Sequence, residues 1–260
     1  MSVGPPGNRS PLKDKPLRTP GQSCEERRRS IQEKLEPSLI AAAAGVVLTA
    51  LEVWRAYANQ PPAPWAVATV ALAAIAYAGI RVRKFLPEFR NLRLAAEGEK
   101  AVGQFLERLR GSGYEVYHDV PAPGFNIDHV LIGPGGIFAI ETKTWRKPRG
   151  PRAEVEFDGH ELKVGGRTPD RDPILQARAQ ADYLARLVEE GTGRKYWVKP
   201  VVLFPGWWIA QPQGTPKDVW VLEPKSLPGF LEHESERLTR EEVKLASFHL
   251  SRYIRTFPAE

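Results

Sequence analysis

Cysteine is almost missing from this 260-residue chain: Cys24 stands alone, in a polar stretch. One thiol makes no intramolecular disulfide and no cysteine-based zinc site, and its scarcity fits a reducing compartment. Residues 1–36 are also poor in apolar side chains and carry Pro5, Pro6, Pro11, Pro16 and Pro20 among scattered charges. Such a segment buries too little surface to offset the entropy of ordering, so a disordered tail is expected to about Cys24. Residues 25–36, which follow it, are read as the start of a helix. No apolar run sits where a cleavable leader would place one, and none is expected. No internal repeat is visible.

Charge is absent from two further blocks, residues 38–51 and 64–80, which the mean hydropathy of −0.37 conceals. Between them Asn59-Gln60-Pro61-Pro62-Ala63-Pro64 reads as a turn that stops one helix and starts another. Both blocks are apolar all round rather than striped, which suits lipid better than a half-exposed helix. Each is a little short of the roughly 20 residues a bilayer core asks for. Trp54, Tyr57 and Trp65 gather at the turn, whereas Arg27, Arg28, Arg29, Lys34, Arg81, Arg83 and Lys84 flank the outer ends. Aromatic rings favour the membrane interface and basic flanks the cytoplasmic side. The expectation is a two-helix transmembrane hairpin over 37–86, multi-pass in the cell membrane, with both termini and the following domain cytoplasmic. The lipid bilayer is then one partner. Glu52 argues for water unless it pairs with Arg55, and a buried hairpin of a soluble protein is the alternative.

A net charge of +6 and a pI near 9.4 favour anionic partners, nucleic acid or acidic headgroups, though many proteins are mildly basic. From 87 to 260 the pattern is mixed α/β. A helix is predicted over 95–109, with Val102, Phe105, Leu106 and Leu109 on one stripe. Strands follow near 114–118, 126–132 and 137–143, then a hairpin of 154–157 and 161–164 about Asp158-Gly159-His160. Asp172-Pro173 caps and opens a helix to about 190. Strands at 198–204 and 218–222 and a helix over 240–256 complete the chain.

The chemistry concentrates in one hairpin. Asn126-Ile127-Asp128-His129-Val130-Leu131-Ile132 and Ile137-Phe138-Ala139-Ile140-Glu141-Thr142-Lys143 flank the turn Gly133-Pro134-Gly135-Gly136. If 133–136 is the loop, Ile132 faces Ile137 and Asp128 faces Glu141, with Lys143 on the same side by alternation. Opposed carboxylates repel, and a divalent cation is the natural compensation. Mg²⁺, or Mn²⁺ in its place, would lower the pKa of water and stabilise charge on a phosphodiester, with Lys143 assisting. The competing reading makes Lys143 a structural counter-ion for two acids. Glu99 shares the Val102/Leu106 stripe and so faces inward. Gln176 and Gln180 share a face with Tyr183, Leu184 and Leu187, near the site or as satisfied core amides. His129 alternates away from Asp128 and is read as structural. Trp145 either stacks on a base or caps the core. Arg146, Lys147, Arg149 and Arg152 suit phosphate contacts or a solvated loop. Trp207-Trp208 has no assigned role.

These residues resemble the PD-(D/E)XK nuclease superfamily and, within it, the nuclease-related domain (NERD) family. The resemblance rests on Glu97-Gly98-Glu99, Asn126-Ile127-Asp128-His129, Ile140-Glu141-Thr142-Lys143-Thr144-Trp145 and Asp172-Pro173-Ile174-Leu175-Gln176. It covers roughly 95–190. It implies a restriction-endonuclease-like mixed sheet flanked by helices, Mg²⁺, and cleavage of DNA, with RNA as the open alternative. By resemblance Asp128, Glu141 and the Thr142 position make up the metal set, Lys143 is the catalytic lysine, and Glu99 and Gln176 join the catalytic group. Asn126 stands where such proteins often carry Gln, and Asp172 where Asn commonly precedes the proline. The rival function is a non-catalytic nucleic-acid-binding or scaffolding module that keeps this fold.

Overall fold

The computed structural model describes residues 16–58, 64–147, 154–210 and 218–258. Its contacts divide the chain into a unit of residues 22–97 and a unit of residues 98–260 that also takes in the segment up to Gly21. Of the disordered tail expected to about Cys24, residues 1–15 lie outside the described residues; the rest is ordered, because Arg18 is tied to Asp119 and the first helix, α1 (Gln22–Tyr57), already begins ahead of Cys24.

In the first unit, α1 runs antiparallel to the opening part of α2 (Pro64–Leu106). Three contacts fix that direction. The Arg27 guanidinium meets Glu88 at 3.1 Å, Arg81 Nη2 donates to the Lys34 carbonyl at 2.8 Å, and Gly45 lies against Ala71. A Cβ on Gly45 would come within 2.9 Å of the Ala71 backbone, so the helices approach as closely as glycine permits. Small residues fill the seam, with Ser38, Gly45, Ala71 and Ala78 buried. The large apolar side chains, among them Ile40, Val47, Leu51, Val70, Leu72 and Ile80, point outward. Glu52 is ion-paired with Arg55 at 2.9 Å. Both helices are long and apolar enough to cross a membrane.

The helix predicted over 95–109 is the last part of α2, followed by a 3-10 turn at Glu107–Ser112. Residues 81–95 contain no glycine to stop the preceding helix, and Pro87 is accommodated within it. The second unit then lays down β1 (Glu115–Ala122), β2 (Phe125–Gly133) and β3 (Gly136–Thr142), each antiparallel to the last. A small hairpin of β4 (Glu154–Phe157) and β5 (Leu162–Val164) precedes α3 (Pro173–Thr192). Next come β6 (Val198–Leu203), β7 (Trp208–Ala210) and β8 (Trp220–Leu222), then α4 (Leu227–Glu232) and α5 (Arg240–Thr256).

The main sheet has the order β1-β2-β3-β6-β8, with β6 parallel to both β3 and β8. Mixed α/β organisation follows from the sequence as expected, and β7 and α4 are additions to it. β3 and β6 are buried along their whole length, as the continuous apolar runs require for strands covered on both faces. Phe138 and Ile140 pack with Val102 and Leu106 of α2 and with Leu227 and Leu231 of α4. Ile137 and Ala139 face the other way, onto Ala181, Leu184 and Val188 of α3 and Ala246 and Leu250 of α5. β4 carries the second sheet, β5-β4-β7, whose inner face packs Val155 and Phe157 against Phe204 and Trp207.

Two sequence features set the ends of α3 and α5. Asp172 accepts a hydrogen bond from the Ile174 N–H at 2.8 Å, with Pro173 at the first helical position. Thr239 and Glu242 form a reciprocal capping box at the start of α5.

Candidate functional site

The turn at 133–136 sets the register. Ile132 lies opposite Ile137 and His129 opposite Ile140, where the β2–β3 ladder ends, one residue short of Asp128 and Glu141. On the other side of β2 the ladder with β1 pairs His118 with His129 and Val120 with Ile127, passing over Asp119 and Asp128. Asp119 takes φ +49°, a left-handed conformation that aspartate tolerates better than most residues. The pleat is interrupted beside Asp128. Its Oδ2 accepts the Thr142 N–H at 2.7 Å, tying β2 to the strand end that carries Glu141 and Lys143.

Lys143 continues the strand, its N–H donating to the Leu203 carbonyl at 2.8 Å. Its ammonium donates to Glu141 Oε1 at 2.5 Å and to Gln176 Oε1 at 2.9 Å. Gln176 Nε2 donates to the same Glu141 oxygen at 2.8 Å. Gln180 Nε2, one helical turn on, donates to Glu141 Oε2 at 2.6 Å and to the Asn126 carbonyl at 3.2 Å. The first turns of α3 therefore hang over the end of β3, where its apolar face would otherwise end. Glu99 enters from α2 and is buried at the site's margin. Burial pushes the Asp128 carboxyl well above the usual carboxylate range, and the charges of Glu141 and then Glu99 push the same way. The Thr142 N–H and the Lys143 charge oppose that shift without cancelling it.

Asp128, Glu141, Lys143, Gln176 and Glu99 thus share one neighbourhood, drawn from β2, β3, α3 and α2. Thr142 lies between Glu141 and Lys143, but alternation turns its side chain to the Phe138/Ile140 face, where its hydroxyl is buried with no partner among the described residues. Only its backbone remains on the acid side. Among the described residues, no three His, Cys, Asp or Glu side chains converge as a ready-made metal cage. Glu97, the other acid of its motif, pairs with Arg93 at 2.8 Å in the open.

Residues 94–205 match the model of the nuclease-related domain. Over that stretch the chain is similar to a nuclease-related domain. The match runs from the last turns of α2 through β6, and so takes in every residue of the acid cluster. No curated protein and no solved structure matches the chain.

Other predicted positions separate from this site or extend it. His129 is a core residue: its Nδ1 meets His118 Nδ1 at 2.8 Å, and His118 Nε2 meets Glu107 at 2.9 Å. Burial holds both rings below the ordinary imidazole range. Trp145 packs on Phe204, with ring centroids 5.4 Å apart. Arg146 and Lys147 are exposed, and Lys147 lies over the buried Trp207 ring at 5.9 Å. Arg149 and Arg152 lie outside the described residues. Trp208 stands on β7, 74% exposed.

Sequence reasoning did not find the support behind β2. Asn126 Nδ2 donates to Asp119 Oδ1 at 3.0 Å, and Arg18 reaches Asp119 Oδ2 at 2.6 Å. No local pattern announces a contact across 101 residues.

Proposed function

We propose that the chain carries a nuclease-related domain and that this domain is a divalent-cation-dependent phosphodiesterase acting on DNA, held at a cell membrane by its helical hairpin. The observation that carries this reading is Lys143, whose ammonium bridges Glu141 and Gln176 beside an Asp128 carboxyl crowded by Glu141 and Glu99. That crowding suits a cation: burial is the main cause of the raised Asp128 pKa, and the repulsion from Glu141 and Glu99 that adds to it would be offset by a positive charge. Asp128 and Glu141 would hold Mg²⁺ or Mn²⁺, with the Thr142 backbone alongside. When bound, the ion supplies Lewis-acid stabilisation of phosphate charge and a lower pKa for water. Lys143 orients the attacking water and offsets phosphate charge. Gln176 holds Lys143 and Glu141 in mutual register, and Glu99 adds negative charge on the α2 side. Arg146 and Lys147, exposed just beyond the strand, would meet the nucleic-acid backbone.

The hairpin's outward Ile, Leu and Val side chains support insertion in lipid, because water would not favour them there. Basic Arg27, Arg28, Arg29, Arg81, Arg83 and Lys84 support a cytoplasmic side for both open ends, and for the domain, because basic flanks favour that side.

The test is a cleavage assay with the full chain in detergent, on single- and double-stranded DNA and RNA, with and without Mg²⁺. Metal-dependent cleavage of DNA, abolished by Glu141→Gln, is the expected result. No cleavage of any form by the wild type would sink the reading. One observation favours a second reading, a non-catalytic nucleic-acid module: Glu141 is already satisfied by three donors of its own chain. That module would bind nucleic acid without binding Mn²⁺.

A further inference from the structure

Gln180 is 1% exposed on the apolar face of α3, between Ala177 and Leu184. An amide there is expensive unless it is bonded. Its Nε2 has two hydrogens, and both are committed: one to Glu141 Oε2 at 2.6 Å, the other to the Asn126 carbonyl at 3.2 Å. Its Oε1 is buried and accepts nothing among the described residues. A leucine or methionine would fill the same space without an orphaned acceptor. Packing alone does not account for glutamine at this position.

The lone pairs of Glu141 give it a task. A carboxylate offers about four acceptor sites, two on each oxygen. Lys143 and Gln176 take both on Oε1, and Gln180 takes one on Oε2. A carboxylate held only at Oε1 still turns about its own bond, whereas a second anchor at Oε2 fixes its plane. Gln180 is itself anchored: the Asn126 carbonyl it bonds belongs to a residue whose side chain is tied to Asp119, and Asp119 to Arg18.

We infer that Gln180 is a positioning residue that sets the direction of the one open lone pair of Glu141, the one left for a divalent cation. The inference rests on the phosphodiesterase reading above. It extends the site to a residue that touches neither cation nor substrate.

The experiment is a Mn²⁺ titration of the full chain in detergent, followed by electron paramagnetic resonance. Gln180→Met keeps the volume and removes the donor. Its Mn²⁺ affinity is expected to fall by about 10- to 100-fold, the usual effect of losing a support behind a ligand. Leu184→Ala, on the same helix face, is the control: it should lower thermal stability and leave Mn²⁺ affinity unchanged. Gln180→Asn, too short to reach Glu141, gives the same answer if Gln180→Met does not fold. Wild-type affinity in the position-180 variants would overturn the inference and leave the phosphodiesterase reading standing. A wild-type chain that neither binds Mn²⁺ nor cleaves nucleic acid overturns both.

Discussion

Asp128 accepts the backbone N–H of Thr142 at 2.7 Å, from the residue that separates Glu141 and Lys143. One hydrogen bond thereby joins the two acid-bearing strands at the point where the β1–β2 ladder passes over its regular pairing. Asparagine at 128 keeps an acceptor for that N–H and discards the charge. The folded Asp128 pKa is raised above its unfolded value, so its contribution to stability is full below the unfolded pKa, near 3.8, and is lost as pH rises through the folded value. Asp128→Asn removes that loss. In metal-free buffer the variant should match the wild type at about pH 4 and exceed it at pH 7 in urea unfolding. Cleavage should fall by about 100-fold or more, the scale of losing one electrostatic stabiliser in a site. A variant that is less stable at pH 7 would count against the crowded-acid description.

Lys143→Ala separates catalysis from a structural ion pair. If the ammonium acts on water and phosphate, cleavage is lost while Mn²⁺ still binds, because lysine is no ligand. If Lys143 only neutralises Glu141, the main loss is in stability, by about 3 kcal/mol or more for a buried charge left without its partner. Cleavage, Mn²⁺ titration and chemical unfolding on the same variant decide between the two.

Gly98 tests how closely α2 must approach the chain just beyond β3. A Cβ there would lie 1.7 Å from Thr144 Oγ1 and 2.7 Å from Thr144 Cβ, both far inside contact distance. Gly98→Ala should cost about 1–3 kcal/mol, the range for overpacking. It should also displace the adjacent Glu99. Thr144→Gly removes both clashing atoms, so the double variant should recover more than 0.5 kcal/mol relative to additivity. Additive losses would place the alanine methyl elsewhere.

The pair His118 and His129 gives the fold an acid limit of its own, apart from the acids around Lys143. Both imidazoles have depressed pKa values in the folded protein, chiefly through burial. Their stabilising contribution is therefore present above the unfolded pKa, near 6.5, and lost as pH falls below it. Chemical unfolding from pH 8 to pH 5 should give a decline that starts near 6.5 and is shallower in His129→Gln. A parallel slope in the variant would show that His129 does not titrate with folding.

Arg18 and Asp119 supply a test of the support behind the site. Asp119 is 1% exposed, and Arg18 meets it at 2.6 Å from a segment that precedes α1. Arg18→Met should cost about 3–5 kcal/mol, because a buried carboxylate loses its cation. Adding Asp119→Asn, which tolerates the left-handed backbone, should return most of that loss. Equal instability in the single and double variants would rule out the charge as the cause.

By itself the sequence determined whatever depends on neighbours along the chain. Alternation in 126–132 and 137–142, with a Gly/Pro turn between, fixed the register from Ile132 and Ile137 out to His129 and Ile140, next to Asp128 and Glu141, and period two put Lys143 on the side of Glu141. Two uncharged blocks gave the helices, and Asp172-Pro173 gave the start of α3. The tertiary structure decided what depends on distance. No local pattern says that α3 crosses the end of β3, so only the fold could direct Gln176 and Gln180 to different oxygens of Glu141. His118 and His129 became a buried pair, with His118 reaching out to the exposed Glu107, because β1 and β2 bring the two rings together, and Arg18 found Asp119 across 101 residues. Hydrogen bonds and desolvation act over a few ångströms in space, whereas periodicity records only separation along the chain.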